Sequence, residues 1–151
     1  MMCADTDFRH QVEQVPKGCG FTMLIDACSS GGILEGSPEQ IGYSCNNPAI
    51  FGDSAPRDPG FGDPSGRPLG VLVSACQSRE IAYWGYIEEW NGYGSDFTHA
   101  LIKVLSGNKG KITYQKLVKK IKKLLDKKER GQYPGLYCAD TQKNMRFLSP
   151  G

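Results

Sequence analysis

Two short apolar runs constrain this 151-residue chain more than anything else in it. Phe21-Thr22-Met23-Leu24-Ile25-Asp26-Ala27 and Gly70-Val71-Leu72-Val73-Ser74-Ala75-Cys76 are each too short for a buried helix and nearly unbroken in their apolar character. Such runs read as strands covered on both faces, the kind found in parallel sheets. Around them, helical patterns can be drawn. Thr6 or Asp7 caps a short helix to Gln14 with Phe8, Val12 and Val15 on one stripe, ended by Pro16 and Gly18. Ser95 caps a helix carrying Phe97, Ala100, Leu101, Val104 and Leu105 that stops at Gly107. A further helix from Thr113 puts Leu117, Val118, Ile121, Leu124 and Leu125 on one face, with Gly131 and Pro134 after it, and Leu136-Tyr137-Cys138 adds a last strand. Strand, helix, strand, helix, helix is α/β in character.

Between the two runs the composition changes. Asn46-Asn47-Pro48, Pro56-Arg57-Asp58-Pro59-Gly60 and Asp63-Pro64-Ser65-Gly66-Arg67-Pro68 are turn-forming clusters with few apolar anchors. Residues 45–69 therefore read as a mobile linker, dividing one domain into 1–44 and 70–151. A net charge of +2 is too small to imply a nucleic-acid or membrane partner for the whole chain. The start of the sequence has no basic-then-apolar pattern of a signal peptide, and no apolar stretch approaches the roughly 20 residues that span a bilayer. Six scattered cysteines without a Cys-x-x-Cys pair then read as reduced thiols in a cytoplasmic setting. With two histidines beside them, they make a zinc site a poor fit.

The chemistry concentrates where the first strand opens into Cys28-Ser29-Ser30-Gly31-Gly32. A strand holds such a cysteine rigidly, and a small-residue turn exposes the sulfur and frees backbone N–H groups that favour a thiolate or a developing oxyanion. Ser29 and Ser30 are rival nucleophiles, although no Gly-x-Ser-x-Gly frame surrounds them. From residue types alone, Cys28 also reads as a plain buried cysteine after a strand, and Asp26 as a strand-end residue capping the turn.

Asp26-Ala27-Cys28-Ser29-Ser30-Gly31-Gly32-Ile33-Leu34 resembles the Asp-Ser-Cys-His-Ser-Gly-Gly-Leu-Ile nucleophile motif of the type II metacaspases, plant-type cysteine peptidases of the caspase clan. Thr6-Asp7-Phe8-Arg9, Val15-Pro16-Lys17-Gly18-Cys19, Glu39-Gln40-Ile41-Gly42, Val71-Leu72-Val73-Ser74-Ala75-Cys76-Gln77, Pro134-Gly135-Leu136-Tyr137-Cys138-Ala139-Asp140 and Phe147-Leu148-Ser149 are similar to family segments in the same order. The resemblance implies a partial caspase-like α/β/α sandwich with a mostly parallel sheet. In it, 1–44 is the end of the large-subunit region and 70–151 the small-subunit region. It further implies a cysteine endopeptidase acting on protein substrates after Arg or Lys. Cys28 would attack the scissile carbonyl, its own N–H would form part of the oxyanion hole, and Asp26 would receive the basic side chain. Calcium activation and self-cleavage near Arg57 or Arg67 are implied too, although no Asp-x-Asp-x-Asp-Gly calcium loop is present.

Four departures qualify that picture. The family's catalytic His lies in an upstream His-Gly motif, and the 27 residues before Cys28 contain none. His10 and His99 align with no catalytic position. The chain is thus expected to be a piece of a larger product or a truncated relative, lacking the first strands of the sheet and leaving a strand edge open. Ser29 stands where the family has His, and the linker is short. An acidic loop of the family is replaced by Ser78-Arg79-Glu80-Ile81-Ala82-Tyr83-Trp84. The alternative reading is therefore a catalytically inactive relative that binds or regulates, docking onto an intact metacaspase.

Two features fall outside the resemblance. Lys116, Lys119, Lys120, Lys122, Lys123, Lys127, Lys128 and Arg130 crowd one helix, read as a solvated face opposite its leucine stripe, with an anionic partner as the rival reading. The Trp84-Gly85-Tyr86 and Trp90-Asn91-Gly92-Tyr93 segment reads as a loop packed on the sheet.

Overall fold

A computed structural model describes residues 11–16, 19–34, 37–42 and 70–148. The first helix's capping residues, His10 and the 45–69 linker with Arg57 and Arg67 lie outside the described residues. In chain order the elements are β1 (Thr22–Ile25), β2 (Glu39–Ile41), β3 (Val71–Ser74), β4 (Trp84–Ile87), β5 (Gly92–Ser95), α1 (Asp96–Gly107), α2 (Tyr114–Asp126) and β6 (Gly135–Tyr137).

The main sheet has the order β1-β3-β6-β2. Thr22 to Ile25 run parallel to Val71 to Ser74 in unbroken register, with the Val71 and Ala75 N–H groups donating to Phe21 O and Ile25 O. The other two ladders, β3–β6 and β2–β6, are antiparallel. The sheet is therefore mixed rather than mostly parallel, because β6 leaves the end of α2 and returns against the direction of β3.

β3 is buried along its whole length, and its alternation sorts two cores. Val71, Val73 and Ala75 join Phe97, Ala100 and Val104 of α1 and Leu117, Val118, Ile121 and Leu125 of α2. Leu72 faces the other way, into a smaller cluster with Tyr137, Leu34 and Val12, the last from a helical turn at 11–13. Helices, sheet and a thinner second cover make the layered α/β/α arrangement.

Both long helices begin as their caps dictate. The Ser95 hydroxyl accepts from Phe97 and Thr98 N–H, and the Thr113 hydroxyl from Lys116 N–H. α2 ends at Asp126, earlier than Gly131 and Pro134 suggested, in a turn that takes Glu129 to a positive φ of 54°. Its lysine face is exposed at Lys116, Lys119, Lys120 and Lys123. Lys122 pairs with Asp126 and Lys128 with buried Asp96. No helix among the described residues is long and apolar enough to cross a membrane.

The aromatic segment is a correction to the loop reading. β4 and β5 pair antiparallel as a separate hairpin around a 3-10 turn at Glu88–Trp90, closed by Asn91 in the left-handed conformation that Asn tolerates. Ile87 points inward, whereas Trp84, Tyr86 and Tyr93 are 66%, 52% and 67% exposed and stack on one another rather than on the sheet.

Leu117 is fully buried between α2 and the sheet. Leu117→Ala is expected to cost about 2–5 kcal/mol in urea unfolding, the range for emptying a leucine site in a core. Lys119→Ala on the exposed face should stay within about 0.5 kcal/mol. Equal effects would mean that α2 packs by another face.

Candidate functional site

Parallel pairing of β1 and β3 sends their carboxyl ends to the same edge of the sheet, where open α/β sheets place their sites. Two segments meet there: the turn 26–32 after β1 and the loop 75–83 after β3. Cys28 is exposed, so the reading of it as a buried structural cysteine does not hold. Its sulfur has one polar neighbour among the described residues, Ala82 O at 4.0 Å. Ser29 adopts a left-handed backbone (φ 53°), an uncommon state for a side chain of this kind. It is held there by its N–H donating to Glu80 O at 2.9 Å. Ser30, the other rival nucleophile, is buried, with its hydroxyl directed to Cys76 O at 3.5 Å.

The turn is small-residue for a steric reason. A Cβ on Gly31 would lie 2.7 Å from the Tyr137 hydroxyl and 2.8 Å from Ser78 N, so no side chain fits between turn and loop. Asp26, two residues before the nucleophile, is exposed, and its Oδ2 accepts from Thr98 Oγ1 of α1 at 2.5 Å.

The loop 75–83 is built on polar groups that sequence reasoning missed. Glu80 is buried, and its Oε2 accepts from the N–H groups of Gln77 and Tyr133 at 3.0 and 3.1 Å. Gln77 donates to Tyr133 O and accepts from the Tyr137 hydroxyl. Gln132 donates to Ala75 O and accepts from Tyr83 N–H. These bonds tie the loop to the strand-entry segment before β6, and so position the Glu80 and Ala82 carbonyls against the nucleophile turn. A polar Gln77 directly after the mostly apolar run Gly70 to Cys76 was the one available signal.

Burial raises the Glu80 carboxyl above its ordinary range, outweighing the Gln77 and Tyr133 N–H groups and Lys122, which lower it. The folded state therefore holds this proton more tightly than the unfolded chain, and stability falls as pH rises through that raised value. Relative to Glu80→Gln, which keeps an oxygen acceptor without a charge, the wild type should gain melting temperature as pH is lowered from neutral into the ordinary carboxylate range. A pH-independent difference would show that burial of this charge is not what it costs to build the loop.

The imidazole of His99 makes its contacts elsewhere. It packs edge-on to Trp90 and lies 3.5 Å from Glu89, as a packing residue. Glu89 is itself held at about 2 by its hydrogen bond from Lys103. Cys138 is buried and its thiol is pushed up to about 12, which leaves it inert. Among the described residues no three His, Cys, Asp or Glu side chains converge on a metal position.

The expectation that both strands are covered on both faces holds for β3 but not for β1, whose Leu24 is 41% exposed. An exposed thiol at the end of β1, on a turn locked by a neighbouring carbonyl, can act as a nucleophile. A model of the caspase domain matches residues 2–146, and the chain belongs to that family. Its relatives within the family are metacaspases. Metacaspase-9 of Arabidopsis thaliana is 28% identical over 204 residues, covering 98% of this chain and 62% of that protein. Metacaspase-6 and metacaspase-7 of the same plant are 43% identical over 54 residues and 55% over 40, covering 36% and 26% of this chain. The chain spans less than two thirds of the length of these relatives.

Proposed function

We propose that this chain carries the nucleophile half of a metacaspase-type cysteine endopeptidase site, with Cys28 attacking the main-chain carbonyl of an Arg or Lys residue. The observation that carries the reading is the exposed Cys28 thiol at the carboxyl end of β1, on a turn whose Ser29 N–H is fastened to Glu80 O. The Cys28 N–H has no partner among the described residues, which suits a donor to a developing oxyanion. Asp26 would take the substrate's cationic side chain, with Thr98 holding its other face.

A second reading is favoured by one specific observation. Among the described residues no imidazole contacts the Cys28 sulfur, and His99 is engaged elsewhere. A catalytically inactive relative would bind rather than cleave, with the outer edge of β1 open to a strand of an intact metacaspase.

A fluorogenic peptide ending in Arg, assayed with and without calcium, separates the two. Under the peptidase reading the chain joined to a metacaspase segment that carries the His-Gly motif turns it over, Cys28→Ala abolishes turnover, and Asp26→Asn raises KM for Arg and Lys substrates more than it lowers kcat. No turnover by the joined wild type under either condition would leave the binding reading.

A further inference from the structure

Cys76 is fully buried, has no part in the peptidase step, and sits directly beneath the nucleophile turn. Its thiol donates to Ala27 O at 3.3 Å and to Glu80 O at 3.5 Å, and lies 3.9 Å from Ser30 Oγ. A planar trans peptide keeps a carbonyl oxygen about 2.8 Å from the next Cα, so the Cys76 sulfur is within about 6 Å of the Cys28 Cα. Both sulfurs therefore occupy the seam between turn 26–32 and loop 75–83, one on its surface and one at its floor. The other described thiols are placed differently. Cys19 precedes β1, and Cys138 follows the antiparallel β6, so both belong to the opposite end of the sheet.

We propose that Cys28 and Cys76 form a peroxide-reactive pair, Cys28 being the oxidised thiol and Cys76 the resolving one. The inference rests on the reading above only in taking Cys28 as a reactive thiol. The Cys28 thiolate attacks one oxygen of hydrogen peroxide, the O–O bond breaks, and sulfenic acid forms as hydroxide leaves and is protonated to water. The Cys76 sulfur then attacks the Cys28 sulfur. An S–S bond replaces the S–O bond, and the displaced hydroxide leaves as water with the Cys76 thiol proton. Each thiol supplies one electron of the two that reduce the peroxide. Closing the bond requires rotating Cys28 away from Ala82 O and drawing the turn at Cys28 toward β3. A dithiol reductant reverses it, whereas a lone Cys28 sulfenic acid would go on to irreversible sulfinic acid.

The test treats the reduced chain with hydrogen peroxide, alkylates it, and maps it without reduction after cleavage at aromatic and acidic residues, which separates Cys19, Cys28 and Cys45. The expected result is a Cys28–Cys76 linked peptide and loss of both thiols, restored by dithiothreitol. In Cys28→Ala, Cys76 should stay reduced at the same dose, and in Cys76→Ser, Cys28 should accumulate as sulfinic acid. Cys28 oxidised alone or paired with Cys19 while Cys76 remains a free thiol would overturn the proposal. So would equal oxidation of Cys76 in Cys28→Ala. Should Cys76→Ser fail to fold, the wild type and Cys28→Ala decide the matter by themselves. Peptide turnover by the chain joined to a His-Gly segment is an independent readout: a linked peptide without turnover removes the peptidase reading and keeps this one, and turnover without a linked peptide does the reverse.

Discussion

The parallel ladder between β1 and β3 is the constraint on which the rest of the molecule hangs. Because β3 is buried on both faces, its apolar side chains must find partners above and below the sheet at once. Val71, Val73 and Ala75 recruit α1 and α2, and Leu72 recruits Tyr137 and Leu34. Parallel pairing with β1 then has a geometric consequence that antiparallel pairing would not: both strands end on the same side. Two segments far apart in sequence, 26–32 and 75–83, are forced to share one edge of the sheet. The candidate site that the described residues offer lies in that seam.

Holding the seam together takes buried polar groups rather than more apolar surface. The loop after β3 has to leave the sheet while its backbone N–H groups are still shielded from water, and unpaired groups there would be costly. Glu80 accepts from Gln77 N–H and Gln132 from Tyr83 N–H, while the Gln77 side chain donates to Tyr133 O. Burying the Glu80 carboxylate is itself unfavourable, as its raised proton affinity records. The arrangement persists because removing the side chain would strand two buried donors. The same loop brings the Glu80 carbonyl to Ser29 N–H and to the Cys76 thiol, so one network sets both the shape of the nucleophile turn and the environment of the second sulfur.

Directly after loop 75–83, the β4–β5 hairpin shows how local and long-range preferences diverge. Asn91-Gly92 is a strong turn signal, and alternate residues of the flanking segments point to opposite faces. Ile87 faces the interior, and Trp90 lies against the backbone of Gly94, where a Cβ would meet its ring at 2.5 Å. Trp84, Tyr86 and Tyr93 are left to cover one another in solvent. Aromatic content alone had suggested packing on the sheet. The register of the hairpin decided otherwise, since those three positions share the outward face.

The elements with a strong local signal were legible in the amino-acid sequence. These are the two apolar strands, the Ser95 and Thr113 caps, the leucine stripe of α2, and the small-residue turn that follows Asp26 and Cys28. Short-range sterics and burial periodicity determine each of them, and the motif around Cys28 carried the family with it. The three-residue β2, the mixed direction of the sheet and the hairpin were not legible, because each depends on which distant segment is available to pair. The nucleophile segment keeps its identity, but tertiary structure decided its state. Cys28 is exposed because loop 75–83 fastens the turn from beneath, Asp26 meets Thr98 because α1 begins beside it, and Cys76 lies under the turn because β1 and β3 run the same way. Sequence sets what a cysteine at a strand end can be; only the pairing of strands distant in the chain sets what it touches.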